Sequence, residues 1–340
     1  MSLSRHEGQP VCLIVQPIHA AGLELLTAAG IRPLALPDSN AATVLAAVGE
    51  ADAVITRNNG LSAESIAAAP RLRVIAMHGV GTDAVATEVA TERGVVVVNT
   101  PHVNAQSVAE HVLALTFALA KAIVPADTAT RNGDLAFKYR VTLTELHQST
   151  IGIVGFGAIG QATARLARAL GMRVLVQSRN QSDDVLASAG AERAADLDAL
   201  LRASDVVSLH VPLNASTRGL IGARELAAMK PTAFLINTAR GGVVDEAALA
   251  AALAQGRIAG AGLDVFSTEP LPTTSALAGL ANVVLTPHLA GSTVQAMQRM
   301  AGAAASQVVD VLSGRRPRHL VNPAVWPPPA VERAASARTA

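Results

Sequence analysis

A chain of 340 residues is long for one core and comfortable for two domains. Half of its residues are hydrophobic and 16% are charged, which excludes a disordered chain. With a formal net charge of +1, one Trp and one Tyr, it offers nucleic acid neither an electrostatic footprint nor a stacking platform.

The N-terminus, MSLSRHEGQP, is polar and lacks the apolar core of a signal peptide. Val11–Val15 then reads as a buried strand. It carries Cys12, the single cysteine, which is expected to be a small buried hydrophobe. Without a second cysteine there is no internal disulfide, which fits a reducing cytoplasm. Further strand-like runs at Ala53–Thr56, Val74–Met77 and Val95–Asn99 alternate with Ala-rich helical stretches. Pro101 pushes the residue before it out of helical conformation and sets a hinge near Thr100. A long helix is expected over about Asn104 to Ala122. It comes closest to a membrane span, but Glu110, His111 and Lys121 mark it as an interior helix.

A second strand series begins at Ile151–Val154. It continues through Arg173–Ser178, Val206–His210, Ala233–Asn237, Ala261–Asp264 and Val283–Leu285. Two such series predict an α/β protein of two doubly wound parallel-sheet domains, flavodoxin-like and Rossmann, with a cleft between them. The last amphipathic stretch, Ser292 to Leu312, is expected to cross back onto the first domain. The first domain is then 1–100 plus 291–325 and the second 101–290, with a flexible Pro/Ala-rich tail over 326–340.

Only the second series has a glycine turn after its first strand: Gly155-Phe156-Gly157-Ala158-Ile159-Gly160. Gly155 permits the tight turn, Gly157 lets backbone approach a pyrophosphate, and Gly160 allows close helix–strand packing. The helix that follows aims its N-terminal N–H groups at phosphates. A strand before, a helix after and a second strand ending about 20 residues on make this a dinucleotide site. At that second strand end an acid would bind the adenosine ribose hydroxyls, but Ser178 and Arg179 stand there. Ser178 removes the repulsion of a 2′-phosphate and Arg179 supplies a planar, permanent positive charge, so the site reads as one for NADP(H), with NAD(H) possible.

Three later segments end strands at the edge where ligands of open α/β sheets bind: INTARGGVVDEAAL (236–249), GLDVFSTEPLP (262–272) and VVLTPHLAGST (283–293). They place Arg240, Glu269 and His288 at the edge of the glycine turn. Together with HGVGTDAVATEVATERGVVVVNTP (78–101), VAEHVLAL (108–115) and LHVPLNASTRGLIG (209–222), they resemble the D-isomer-specific 2-hydroxyacid dehydrogenases across most of the chain. The resemblance implies a catalytic trio of Arg240, Glu269 and His288. It also implies a cofactor groove that includes His210, Val211, Pro212, Thr217, Thr238, Ala239 and Asp264. In the first domain it implies a substrate loop at Val80 and Gly81, with Arg57 and His78 near its mouth. No metal site is expected.

The chemistry agrees with these roles. Reduction of a 2-keto acid needs a hydride at the carbonyl carbon and a proton at its oxygen. Arg240 can grip the carboxylate and polarise the keto oxygen. His288 can donate the proton, and Glu269 can orient its ring. The missing acid points to the NADPH-dependent glyoxylate/hydroxypyruvate reductase branch, with homodimers expected by resemblance. The alternatives are an NAD-dependent dehydrogenase, such as a 3-phosphoglycerate dehydrogenase without room for a regulatory domain after Asn322, and a non-catalytic nucleotide-sensing corepressor.

Overall fold

The computed structural model describes residues 8–328. The first strand series comprises β1 (Val11–Ile14), α1 (Ala20–Ala28), β2 (Arg32–Ala35), α2 (Ala41–Ala47), β3 (Ala53–Thr56) and α3 (Ala63–Ala67). It closes with β4 (Val74–Met77), α4 (Thr87–Glu92) and β5 (Val96–Val98), and α5 (Ala105–Ala120) and α6 (Ile123–Arg131) follow. The second series runs β6 (Thr150–Val154), α7 (Ala158–Ala169), β7 (Arg173–Gln177), α8 (Asp183–Ser188), β8 (Glu192–Arg193), α9 (Leu197–Ala203) and β9 (Val206–Leu209). Then come α10 (Ala223–Ala228), β10 (Phe234–Asn237), α11 (Glu246–Ala254), β11 (Gly260–Leu263), β12 (Val283–Leu285) and α12 (Val294–Leu312).

The chain divides into two compact units, one of residues 1–104 and 294–340 and one of 105–293. In the first, five parallel strands lie in the order β2-β1-β3-β4-β5. β1, β3, β4 and β5 are buried along their whole length. That burial on both faces is why their sequences are unbroken apolar runs rather than alternating ones. α12 packs on α1 and β4. Gly22 of α1 makes the approach possible, since a Cβ there would stand 2.9 Å from the Ala301 carbonyl oxygen. Cys12 is fully buried in this core, and burial pushes its thiol far up. Asn322 pins the following segment by accepting from Val97 N–H at 2.8 Å and donating to the Val95 carbonyl at 2.9 Å. Trp326, the first residue of the tail expected over 326–340, packs on the same core, and residues 329–340 of that tail lie outside the described residues.

In the second unit seven parallel strands lie in the order β12-β11-β10-β9-β6-β7-β8. The winding reverses at β6, between β9 and β7, which sets the ligand crevice at the carboxyl ends of those strands. α5 lies against α7, β10 and β11, and Gly262 leaves room for Leu115, whose Cβ a substituent would meet at 2.9 Å. Among the described residues no single helix is long and apolar enough to cross a membrane. The bent pair α5–α6 passes by length and composition only, and α5 is a core helix with eight buried residues.

Two strands are absent from the apolar pattern, and both are edges. β2 contains Arg32 and Pro33 and is only half-buried, as an edge strand that need not donate at every position can be. β8 is a two-residue exposed edge, Glu192–Arg193. A hydrophobic-periodicity reading passes over such strands because an edge buries little.

Candidate active site

The glycine turn sits at the carboxyl end of β6. Gly155 has φ +92, and a Cβ there would lie 2.6 Å from the His210 carbonyl oxygen, so only glycine fits. At Gly160 a Cβ would collide with the Gly155 carbonyl, whereas at Gly157 it would meet nothing within 4 Å. The turn is thus tight where helix meets strand and open at Gly157. α7 starts directly after it, with no acidic residue in its first turn to offset the positive end of the helix. The buried Thr238 Oγ1 has no hydrogen-bond partner. An open glycine backbone, an uncompensated helix N-terminus and an unpaired buried hydroxyl fit a phosphate-bearing dinucleotide.

At the end of β7, Arg179 is exposed and its Nη2 donates to Ser216 Oγ at 3.2 Å. Ser216 belongs to the loop after β9, so the Arg179 side chain crosses from one flank of β6 to the other. Thr217 stiffens that loop: its Oγ1 donates to the Pro212 carbonyl at 2.5 Å and accepts from Asn214 N–H at 2.9 Å. His210 pairs with Ser208 Oγ at 2.9 Å, and burial lowers its pKa to about 4. Val211 lies against Gly155.

β10, β11 and β12 each deliver part of a second cluster. Asn237 ends β10; its Nδ2 donates to the Arg240 carbonyl at 2.9 Å and its Oδ1 accepts from Ala239 N–H at 3.0 Å. That pair of bonds folds the loop that carries Arg240. Gly241 packs so closely on the Phe266–Ser267 backbone that a Cβ would collide with it, which draws the Arg240 loop onto the Glu269 loop. Glu269 Oε2 meets His288 Nδ1 at 2.7 Å, while its Oε1 accepts from Phe266 N–H at 3.0 Å. Burial opposes charge on Glu269. The His288 and Phe266 hydrogen bonds, aided by the His288 and Arg240 charges, outweigh it and hold the carboxyl below its usual range.

His288 adopts φ 52, a left-handed conformation that costs a non-glycine residue about 1 kcal/mol or more. Asp264, 1% exposed at the end of β11, holds it there. Its carboxylate accepts from Leu289 N–H and Ala290 N–H, each at 2.9 Å, and from Thr286 Oγ1 at 2.6 Å. Its own carbonyl accepts from His288 N–H at 2.8 Å. His111 Nε2 adds a contact to Thr286 Oγ1 at 3.0 Å. Asp264 therefore organises the His288 loop. The sequence assigns no site role to Asn237, Thr286, His111 or Ser216, although all four stand inside the segments that carry the resemblance.

In the first unit, Arg57 and His78 follow the paired strands β3 and β4. Arg57 is half-buried and donates to the Pro17 carbonyl at 3.0 Å. His78 departs from the expected place at a pocket mouth. It is 5% exposed, and neither ring nitrogen is open to solvent or reaches a partner at hydrogen-bonding geometry. Its loop neighbours are placed differently. Val80 is 41% exposed, and the N–H groups of Val80 and Gly81 have no backbone partner among the described residues.

Burial, reinforced by the Arg57 charge, lowers the pKa of His78 to about 4. An unfolded histidine takes its proton near 6.5, so the stability gained by keeping His78 and His210 neutral is full above that pH and lost as pH falls towards 4. Each ring accounts for up to about 3 kcal/mol. The expected outcome is a steep fall in Tm between pH 6.5 and 4, and a flat Tm there would mean that the folded chain protonates both rings freely.

Residues 113–290 match the profile of the D-isomer specific 2-hydroxyacid dehydrogenase, NAD binding domain. A glyoxylate reductase of Thermofilum pendens is 45% identical over 265 residues, which covers 77% of this chain and 78% of that protein. A D-3-phosphoglycerate dehydrogenase of Mycobacterium bovis is 44% identical over 272 residues, 80% of this chain and 51% of the relative. An NADPH-dependent glyoxylate/hydroxypyruvate reductase of Sinorhizobium meliloti, solved with NADP and malonate, superposes with a TM-score of 0.84 at 31% identity. The superposition covers 95% of this chain and 100% of that one. With a profile match over more than half its length and relatives this similar over most of it, the chain belongs to the D-isomer-specific 2-hydroxyacid dehydrogenases, NAD(P)-dependent oxidoreductases of small 2-hydroxy and 2-keto acids.

Proposed function

We propose that the protein reduces a small polar 2-keto acid, of the glyoxylate or hydroxypyruvate type, to the D-2-hydroxy acid with NADPH. The observation that carries the reading is the Glu269–His288 pair, beside Arg240, at the same sheet edge as the glycine turn and a β7 end that bears Arg179 in place of an acid. Gly155 to Gly160, Ser178, Arg179, His210 to Pro212, Thr217, Thr238 and Ala239 would hold the dinucleotide, which supplies the hydride when bound. Asp264 shapes the same site through its bonds to Thr286, Leu289 and Ala290, and its Oδ2, which accepts from Ala290 N–H alone, keeps acceptor capacity for the dinucleotide.

Arg240 takes the substrate carboxylate and polarises the keto oxygen. His288 delivers the proton to that oxygen through Nε2, because Nδ1 is committed to Glu269. Glu269 stays ionised and holds the ring in place. In the first unit the Val80 and Gly81 N–H groups suit a carboxylate, and Arg57 adds positive charge at the end of the neighbouring strand β3. The glyoxylate reductase and the NADP-bound reductase among the relatives support this reading. The similar D-3-phosphoglycerate dehydrogenase supports the alternative, NAD-dependent oxidation of a D-hydroxy acid.

We also infer a homodimer formed through the second unit, because Ile123, Val124, Leu135, Tyr139 and Leu143 are all more than half exposed along one stretch of it. A reducing, cytoplasmic setting accords with the free thiol of Cys12. The test is a panel of glyoxylate, hydroxypyruvate, pyruvate, 2-ketogluconate and arylpyruvates assayed with NADPH and with NADH, with light scattering on the same preparation. Fastest turnover of glyoxylate or hydroxypyruvate with NADPH, by a dimer, is expected. Preference for NADH, or for an arylpyruvate, would overturn the corresponding part, and a monomeric mass would remove the dimer.

A further inference from the structure

The end of β7 owes its shape to a residue outside the nucleotide motif. Arg193, on the edge strand β8, spends its whole guanidinium on the loop that carries Ser178 and Arg179. Its Nη1 donates to the Ser178 carbonyl at 2.9 Å, its Nη2 donates to the Gln181 carbonyl at 2.6 Å, and its Nε pairs with the Asp183 carboxylate. Its side chain is 34% exposed, against 81% for Asp183. One planar group thus closes a loop of six residues, 178–183, at both ends.

This contact does two things that matter to an anion at the strand end. It fixes the Ser178 carbonyl, and so the peptide unit that joins Ser178 to Arg179. It also engages Asp183, the nearest downstream carboxylate, which would otherwise stand unpaired beside a site that needs positive charge. Arg179 in turn is tethered at its far end to Ser216, so the loop is braced from two sides.

We propose that Arg193 is a specificity-determining positioning residue: by clamping residues 178–183 and neutralising Asp183 it makes the β7 end accept a 2′-phosphorylated adenine nucleotide. The clamp discriminates between nucleotides without touching the phosphate. The proposal rests on the NADPH reading above, and the test separates the two.

Binding of 2′,5′-ADP and of 5′-AMP to the full-length protein is measured by calorimetry, alongside kcat and KM with NADPH and NADH. Wild type is expected to bind 2′,5′-ADP at least about tenfold more tightly than 5′-AMP. Arg193→Ala should lower that ratio by about tenfold and raise KM for NADPH to match, leaving 5′-AMP affinity and kcat with NADH within about twofold. Arg193→Lys keeps a charge opposite Asp183 but cannot span both carbonyls, so it should fall between the two. Asp183→Asn in the Arg193→Ala background should restore part of the ratio. A merely structural role would weaken both nucleotides alike and would not be rescued by Asp183→Asn. If Arg193→Ala does not fold, Arg193→Lys and Arg193→Gln decide in the same way. A wild-type ratio kept in the folded variants overturns the role of Arg193. A wild type with no preference for 2′,5′-ADP overturns the NADPH reading itself, and this inference with it.

Discussion

Replacing His288 with Gln should lower turnover by about 10²–10⁴ while nucleotide affinity stays near its wild-type value. Gln keeps a polar side chain of similar reach but has no proton to give at the keto oxygen. The loop around it should survive, because it is held by the Asp264 carboxylate on Leu289 and Ala290 N–H and not by the imidazole. The loss should appear in kcat and kcat/KM together, the signature of a group that acts in the transition state. Glu269→Gln provides the companion measurement. It replaces the anion 2.7 Å from Nδ1 with a neutral amide, so kcat should fall while nucleotide affinity is kept. Near-normal turnover of a folded His288→Gln protein would remove histidine from the proton-transfer step. An unchanged kcat in Glu269→Gln would reduce the carboxylate to a loop anchor on Phe266 N–H.

The second large effect is a reversal of nucleotide choice. Wild type should use NADPH better than NADH by roughly tenfold or more in kcat/KM, the lower end of what one charge-assisted hydrogen bond provides. Ser178→Asp combined with Arg179→Ala introduces a carboxylate where ribose hydroxyls would bind and removes the exposed guanidinium that reaches Ser216. The order should invert, for a total swing of about a hundredfold. It should do so mostly through KM, because the 2′-phosphate is remote from the hydride and binds ground and transition states alike. Arg240 and His288 lie at the ends of other strands, so kcat with the favoured nucleotide should barely change. Equal use of both nucleotides by wild type, or an unchanged order in the double variant, would refute the assignment of the β7 end to NADPH. Membership of the dehydrogenase family would stand in either case.

What the sequence determined by itself was whatever depends on local pattern or on the chemical identity of single residues. The central strands announce themselves because a strand buried on both faces must be apolar throughout, as Val54 and Ile55 or Ile151 to Val154 are. The glycine turn is readable because Gly155 and Gly160 leave no space for a side chain, and the absence of an acid at Ser178 is visible as a missing charge. Arg240, Glu269 and His288 could be named from the segments they occupy.

The tertiary structure decided how these groups are held. Asp264 is joined to a loop some 25 residues away, and no motif states that its carboxylate accepts from Leu289, Ala290 and Thr286. No sequence motif marks Arg193; the pairing of β8 with β7 is what brings it to the Ser178 carbonyl. His78 shares a sequence segment with the exposed Val80, yet the fold encloses the one and leaves the other at the surface. Hydrogen-bond satisfaction and desolvation are set by which chain segments become neighbours, and that neighbourhood exists only after the sheets have assembled.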